Sequence, residues 1–390
     1  YGCVGVWNSF FLLLFSVTGF TNILKYSTRF SQETFGMFIT CAFMHDGLRP
    51  TLTFFVENFY LCSGGDCKQA QALLYLILVY GTGIIGFKLY MYKRSALLNP
   101  RLREILSDYS LPIAVAIMTF VGSVIFMPVD LESFPEPEDP PFRIIYLLQL
   151  PVWGIFLACP LGFMLALIFF MDQSLSSAAT NHPDNQLRKG PAYHLDLYVM
   201  SALMLLFSLV GLPWVNAAIP HSPFHARILA DLEVIYHPNG LIEERIVRVR
   251  ETRITGLVAS ILIGISVLMV PIPLQIIPVP VLYGVFVYLS LTGLPGFQFW
   301  ERLKLIITQR NLYPPNSYLR KVPLKVIHRF TLFQLVVILW LVFWGLTPVD
   351  YIQLFLGAAL ISIIPIRAVF GRLFFQQKHL KHLDKPTIGV

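Results

Sequence analysis

Ten long apolar runs constrain this chain more than any other feature. Each reaches or approaches the ~20 residues that a helix needs to cross about 30 Å of hydrocarbon. Charged residues make up only 13% of the 390 residues, and the mean hydropathy is +0.66. Soluble domains carry about 25% charged residues, so we predict an integral membrane protein. The runs lie near residues 2–24, 33–58, 71–92, 110–128, 147–171, 195–212, 255–272, 278–293, 328–346 and 350–366.

Lysine and arginine are concentrated in alternate connections between these runs, whereas one of the other connections, 130–139, is acidic. By the positive-inside rule the basic connections and the C-terminal segment 371–390 are cytoplasmic. The alternation holds only if the stretch 213–235 makes one further crossing. The sequence pI of about 9.1 therefore reflects membrane topology and does not indicate a nucleic-acid partner.

The stretch 213–235 cannot be one regular membrane helix, because three prolines fall within eleven residues (Pro213, Pro220 and Pro223). Broken helices at membrane depth occur where the backbone lines a cavity, and in transporters such half-helices hold the substrate. We expect extended backbone over 215–219. Ser222 and Pro223 are typical of a helix start, and we predict a helix from Phe224 to Ile235. A helix N-terminus attracts anions, so the stretch predicts an anion site.

Four side chains are candidates for the chemistry of this site. His221 lies at the mouth of the half-helix, and histidine changes its charge between about pH 5 and pH 8. His225, one turn further, fits a packing role better. Asp172 follows the apolar run Trp153 to Met171, and an intramembrane carboxylate is a functional candidate by default. It can bind a cation together with Ser176, carry a proton or sense an anion; the alternative is an interfacial cap.

The five cysteines indicate no metal site, because no cysteine–histidine spacing suggests zinc. Cys62 and Cys67 fall in a predicted outside loop, where a disulfide is favoured over two free thiols. No nucleophile–base pair is visible, so an enzyme is not expected. His194 and Asp196 are predicted to form a hydrogen-bonded pair near the cytoplasmic end of their helix.

Several segments resemble the bicarbonate/borate transporter family, solute carrier family four. The likeness covers nearly all 390 residues in the same order. Residues 219–226, 313–315 and 364–367 are most similar to the branch with borate transporters. The exchangers of the family carry Arg where His221 stands and Glu where Asp172 stands, which argues against simple chloride/bicarbonate exchange. The matching segments are Arg-Phe-Ser-Gln-Glu at 29–33, Phe-Met-Asp-Gln at 170–173, Lys-Gly-Pro-Ala-Tyr-His-Leu-Asp-Leu at 189–197, Glu-Thr-Arg-Ile-Thr-Gly-Leu at 251–257 and Ile-Pro-Val-Pro-Val-Leu-Tyr-Gly at 277–284.

The resemblance implies an all-α membrane fold: an inverted repeat of seven plus seven helices, with half-helices at the substrate site and a core part that moves against a gate part. Residues 1–30 and 147–275 correspond to the core, 31–128 and 276–370 to the gate, and 371–390 to the cytoplasmic tail. The chain would begin at the fourth helix, without the cytosolic N-terminal domain. The gate parts would form a homodimer in the plasma membrane.

These observations predict a secondary active transporter of a small inorganic anion: borate, bicarbonate or a hydroxide/proton equivalent. Ser222, Pro223 and Phe224 would form the anion site, in which the Ser222 hydroxyl and the backbone amides after Pro223 would attract the anion. His221 would tune the charge of the site, and Asp172 with Ser176 would provide ion coupling. No cofactor is expected apart from a bound Na⁺ if coupling uses one. The alternative of the same fold is a channel-like conductance for protons, hydroxide or water; a non-transporting scaffold is a third hypothesis.

Overall fold

A computed structural model of the chain describes residues 1–61, 68–95, 97–133, 150–217, 221–236, 242–268, 275–314 and 317–384. Within these ranges the chain is mostly helical, which confirms the predicted all-α class, and it adds one two-stranded hairpin. The helices are α1 (Gly2–Val17), α2 (Arg29–Phe55), α3 (Gln69–Met91), α4 (Pro100–Asp108), α5 (Ser110–Phe120), α6 (Val152–Thr180), α7 (Tyr193–Val210), α8 (His221–Ile228), α9 (Ile254–Leu268), α10 (Val279–Gly293), α11 (Gln298–Lys304), α12 (Ser317–Lys321), α13 (Leu324–Leu346), α14 (Asp350–Gln353), α15 (Leu356–Phe374) and α16 (Gln377–Leu383), and the strands are β1 (Ala230–Tyr236) and β2 (Ile242–Val249).

Nine of the ten predicted apolar runs each correspond to one α-helix in the described part of the chain, whereas the run 350–366 is divided between α14 and α15. By length and hydropathy, five of the described helices can cross a membrane: α3, α6, α7, α10 with the turn that follows it, and α13. A sixth candidate span consists of α4 and α5, which meet at an angle of 67°. Three further apolar helices, α1, α9 and α15, are shorter.

The described residues divide into two compact units. The first contains Tyr1–Phe35, Asp139–Ile254 and Arg302–Val390, and the second contains Gly36–Glu138 and Thr255–Glu301. The division into core and gate parts stays a prediction, because compactness does not show which part moves.

In the first unit, α1 lies against both α6 and α7. Gly162 of α6 permits the close approach, because a Cβ atom there would lie 2.5 Å from the Cβ of Trp7. Against α7, Ser9 and Ser201 donate to each other's backbone carbonyls at 2.7 and 2.9 Å. Small residues and interhelical hydroxyl bonds are the usual means of helix association in membranes, where lipid tails are as apolar as leucine.

The second unit is built around α3 and α10, with α5 packed against both. Gly284 of α10 lets the two helices approach, because a Cβ atom there would lie 2.5 Å from the Cβ of Thr82. Apolar side chains fill the rest of the contact. They include Leu78, Val79, Val281 and Val287, all at most 3% exposed.

A buried ionic cluster joins the start of α2 to α11 and α13 within the first unit. The guanidinium of Arg302 lies 3.4 Å from the carboxylate of Glu33 and donates to the side chain of Gln334. Its Cζ also lies 4.9 Å from the ring centre of Phe330. Arg302 is only 1% exposed. Since desolvating a charge is expensive, this arginine depends on its partners.

Removing Glu33 alone should therefore destabilise the protein more than removing both charges. We expect Glu33→Leu to lower the free energy of unfolding by about 3–5 kcal/mol, because Arg302 stays buried without its carboxylate, and Glu33→Leu with Arg302→Met to lower it less. Thermal unfolding of the purified protein in nanodiscs measures both. The control is Glu57→Gln, which removes an exposed carboxylate. Equal losses for the single and double variants would show that the ion pair is not the source of the effect.

Candidate functional site

The predicted break is present where the sequence placed it. Helix α7 ends at Gly211, which has a left-handed backbone (φ 77°). The backbone is irregular through Ala217, residues 218–220 lie outside the described part, and α8 then begins at His221.

The predicted helix from Phe224 to Ile235 is too long, because α8 ends at Ile228 and strand β1 begins at Ala230. Strand β1 pairs with β2 in antiparallel register from Ala230 opposite Val249 to Tyr236 opposite Ile242. β-Branched and aromatic residues such as Val234, Ile235 and Tyr236 favour strands. Pairing with β2 makes this segment a strand. The sequence of β1 taken by itself does not reveal that partner.

The N-terminal end of the break is fixed to Tyr1 and to α7 by side-chain hydrogen bonds. The hydroxyl of Tyr1 donates to the carbonyl of Leu212 at 3.0 Å and accepts the backbone N–H of Trp214 at 3.0 Å. The rings of Tyr1 and Trp214 stack with centroids 4.0 Å apart. The indole N–H of Trp214 donates to the Ser208 hydroxyl at 3.1 Å. Backbone groups freed by the break thus find partners inside the protein, as hydrocarbon surroundings require.

Asp172 meets the break directly. The side-chain amide of Asn216 donates to the carboxylate of Asp172, which is 8% exposed. Helix α6 continues past Asp172 to Thr180. Sequence reasoning missed Asn216, although an amide side chain in an intramembrane break is itself a signal of a polar partner.

Ser176 lies one turn beyond Asp172 on α6 and is 2% exposed. Residues four apart share one face of a helix, so Ser176 and Asp172 present two oxygen ligands on the same side. Asn216 turns its amide nitrogen, a donor, toward Asp172 and so adds no oxygen ligand in this arrangement. Oxygen donors of this kind suit a hard cation such as Na⁺. Within the described ranges there is no group of three or more His, Cys, Asp or Glu side chains that could hold a metal ion.

The anion-site candidates lie on α8, which packs against α6. His221 and Ser222 are exposed and Pro223 is half-buried, all in the first turn of α8. Helix α8 begins at His221, so Ser222 lies within the first turn and not before it as predicted. Phe224 follows on the same helix, and its side chain lies outside the described part. His225 is exposed in the last turns of α8.

Other predicted pairs have different outcomes. His194 bonds to the Thr21 hydroxyl at 2.8 Å, and Asp196 accepts the Ser177 hydroxyl at 2.9 Å. The predicted His194–Asp196 pair is therefore wrong, because side chains two residues apart on a helix do not face each other. Cys62 and Cys67 lie outside the described residues, so their disulfide stays a prediction.

Comparison with known proteins consistently matches this chain to bicarbonate transporters and their relatives. The profile of the family described as "HCO3- transporter integral membrane domain" matches residues 1–63 and 59–387. "Solute carrier family 4 member 11" of Homo sapiens is 35% identical over 98% of this chain and 49% of its own length. "Electrogenic sodium bicarbonate cotransporter 1" of Ambystoma tigrinum is 28% identical over 98% of this chain and 43% of its length.

Among solved structures, the transmembrane domain of a cyanobacterium bicarbonate transporter, BicA, has a similar fold. Its TM-score is 0.51 at 13% identity, covering 87% of this chain and 74% of that one. The chain spans about half the length of these solute carrier family 4 member 11 relatives, from human and mouse.

The contact between Asn216 and Asp172 predicts a stability effect. Asn216→Leu removes the hydrogen bond and leaves the buried carboxylate unpaired, which should cost about 1–3 kcal/mol. Thermal unfolding in nanodiscs measures the loss, and adding Asp172→Leu should recover part of it. Asn99→Leu is the matched control, since Asn99 is exposed and its side chain makes no cap hydrogen bond. A loss no larger than that of the control would contradict the pairing.

Proposed function

Because the chain belongs to the family of HCO3⁻ transporter integral membrane domains, we propose that it is a secondary active transporter of a small inorganic anion. Borate, bicarbonate and a hydroxide/proton equivalent are the candidate substrates, and alternating access is the mechanism. No enzymatic activity is part of the proposal, since the family consists of transporters. The relatives' names, which include a sodium bicarbonate cotransporter, support both an anion substrate and coupling to Na⁺.

The observation that carries the proposal is the meeting of Asp172 with the broken stretch. The amide of Asn216, in irregular backbone, contacts a carboxylate in the second half of a 29-residue apolar helix. Irregular backbone and a carboxylate at this depth are both costly in lipid. A transport site accounts for both unfavourable features, the irregular backbone and the buried carboxylate.

The anion would bind at the start of α8. Ser222 offers a hydroxyl there, and the backbone N–H groups of the first turn, to which Pro223 contributes none, form the positive end of the helix. His221 would adjust the positive charge of the site with pH, because histidine titrates in the physiological range. A fixed arginine would not respond in this way.

The coupling ion would bind beside the anion. The carboxylate of Asp172 and the hydroxyl of Ser176 provide oxygen ligands of the kind that suits Na⁺. Alternatively, Asp172 carries a proton, with Asn216 stabilising its charged form. In either case the cation offsets the charge of the anion during transport. Flux with Na⁺ present or absent, at several pH values, separates the two cases.

Asp172→Asn should abolish coupling while the fold persists. Hydrogen bonds to a charged group contribute about 1.5–3 kcal/mol, so we expect at least about a tenfold loss of Na⁺- or proton-dependent anion flux. The full-length protein in proteoliposomes, with borate and bicarbonate offered separately, provides the measurement. Glu57→Gln serves as the control because it removes an exposed carboxylate. Unchanged coupling in Asp172→Asn would refute the assignment of Asp172.

His221→Arg should make transport less sensitive to pH. The arginine keeps its charge across the range where histidine titrates, so we expect the flux to vary less between about pH 5 and pH 8. The same proteoliposome assay gives the pH profile, and His382→Arg, in the C-terminal helix α16, is the control. A profile identical to that of the unmodified protein would exclude His221 from the site.

Assembly and orientation complete the proposal. We place the protein in the plasma membrane as a homodimer formed through the gate part, with the C-terminus cytoplasmic. The support is the family resemblance and the basic connections. Mass measurement in nanodiscs tests the dimer, and protease protection of a C-terminal tag in sealed cells tests the orientation.

A further inference from the structure

Several buried polar groups at the start of α2 have no hydrogen-bond partner. They are the hydroxyls of Ser27, Thr28 and Ser31 and the side-chain nitrogen of Gln32. The three hydroxyl residues are 2%, 5% and 3% exposed, respectively. An unpaired buried polar group costs about 1–3 kcal/mol, and native proteins contain few of them. A cluster of four within six consecutive residues therefore requires an explanation.

These groups surround the N-terminus of a 27-residue helix. Thr28 precedes the first residue of α2, and Ser31 is its third residue. Side chains at these two positions flank the free N–H groups of the first turn. The same turn carries the positive end of the helix dipole. Hydroxyl donors, amide donors and positive potential thus converge at one point of the first unit.

A carboxylate from the C-terminal end of the described chain already occupies part of this point. Asp384 accepts the backbone N–H of Phe30 at 2.9 Å and the guanidinium of Arg367 at 2.6 Å. Its side chain is completely buried. The residue follows the short helix α16, in which Leu380 and Leu383 are buried. Asp384 contacts none of the four unpaired groups, so one anionic group satisfies only part of the donor set.

The charges near the site leave room for an anion. The guanidinium of Arg29 lies 3.7 Å from Glu33, and the guanidinium groups of Arg302 and Arg367 pair with Glu33 and Asp384, respectively. They face two carboxylates, those of Glu33 and Asp384. The excess is positive even before the helix dipole is counted.

We propose that the first turn of α2 binds a phosphate-type oxyanion, and that Asp384 holds the site until such an anion displaces it. A tetrahedral oxyanion has enough acceptor oxygens to receive the hydroxyls of Ser27, Thr28 and Ser31, the Phe30 amide and the Arg367 guanidinium. A carboxylate has two oxygens, and they already serve Phe30 and Arg367. Displacement of Asp384 releases α16, so this helix is docked when the anion is absent and released when the anion is bound. The segment 377–384 is then a reversible latch.

The phosphate group can come from free inorganic phosphate or from a phosphorylated lipid headgroup, and the test distinguishes them. Binding of labelled inorganic phosphate is measured on the full chain in phosphatidylcholine nanodiscs. A second arm uses nanodiscs that contain phosphatidylinositol phosphate and measures retention of that lipid. Binding of inorganic phosphate in the first arm would identify the free ion as the ligand. Retention of the lipid in the second arm, with no phosphate binding in the first, would identify the lipid headgroup.

Competition gives the sharpest prediction. When an internal competitor occupies a site, the apparent affinity for a ligand falls in proportion to the fraction of sites left free. Asp384→Asn weakens the competitor, so we expect it to tighten binding of the phosphate probe by about tenfold or more. Thr28→Val combined with Ser31→Ala should weaken binding by a similar factor. Asp108→Asn, which removes an exposed carboxylate of the second unit, should change nothing. A purely structural role for Asp384 would lower thermal stability without tightening binding.

A measurement on the unmodified protein guards against misfolded variants. Inorganic phosphate should accelerate tryptic cleavage after Lys381, an exposed residue of α16, relative to chloride at equal ionic strength. In the second arm, the phosphoinositide should do the same relative to phosphatidylcholine. The proposal is overturned if neither probe binds or accelerates cleavage, or if the variants of Thr28, Ser31 and Asp384 leave affinity unchanged. These readouts do not depend on transport, so they stand or fall separately from the proposed function.

Discussion

The hydrocarbon interior of the bilayer offers no hydrogen bonds, and this constraint organises the first unit. A chain that leaves the helix at Gly211 must satisfy its freed backbone groups internally. Tyr1 provides both a donor and an acceptor for that purpose, and Ser208 fixes the indole of Trp214 beside it. The irregular backbone is therefore compatible with a membrane. Further along the same stretch, the side chain of Asn216 contacts Asp172.

The ionic contacts of the chain fall into two physical kinds. Asp231 of the hairpin pairs with Arg248 and Arg250 in contact with water, and these arginines hold the pKa of Asp231 below its usual range. Such exposed pairs contribute little to stability. Arg302, by contrast, is enclosed by Glu33, Gln334 and Phe330, so its neighbours are indispensable. The contribution of an ion pair to stability thus depends more on how deeply it is buried than on how many charges it contains.

Sequence reasoning succeeded where the signal is local and failed where it is distant. Apolar runs fix the helices because crossing hydrocarbon demands long uninterrupted apolar segments, and prolines fix the break. The end of α8 was misjudged because β1 depends on pairing with β2. The partner of Asp172 lies 44 positions away, and Asp384 caps a helix that begins 355 positions before it. No local pattern in a single sequence encodes such contacts.

The packing of α1 has a consequence for synthesis of the protein. Its main helical neighbours are α6 and α7, and α6 begins at Val152, about 135 residues after Val17 ends α1. A ribosome adding roughly 5–20 residues per second needs about 7–27 s to make that interval. During this time α6 and α7 are not yet available to the side chains of Asn8, Ser9 and Ser16, which are buried in the finished protein. The contacts that α1 makes with α6 and α7 can therefore form only after these two helices have been translated.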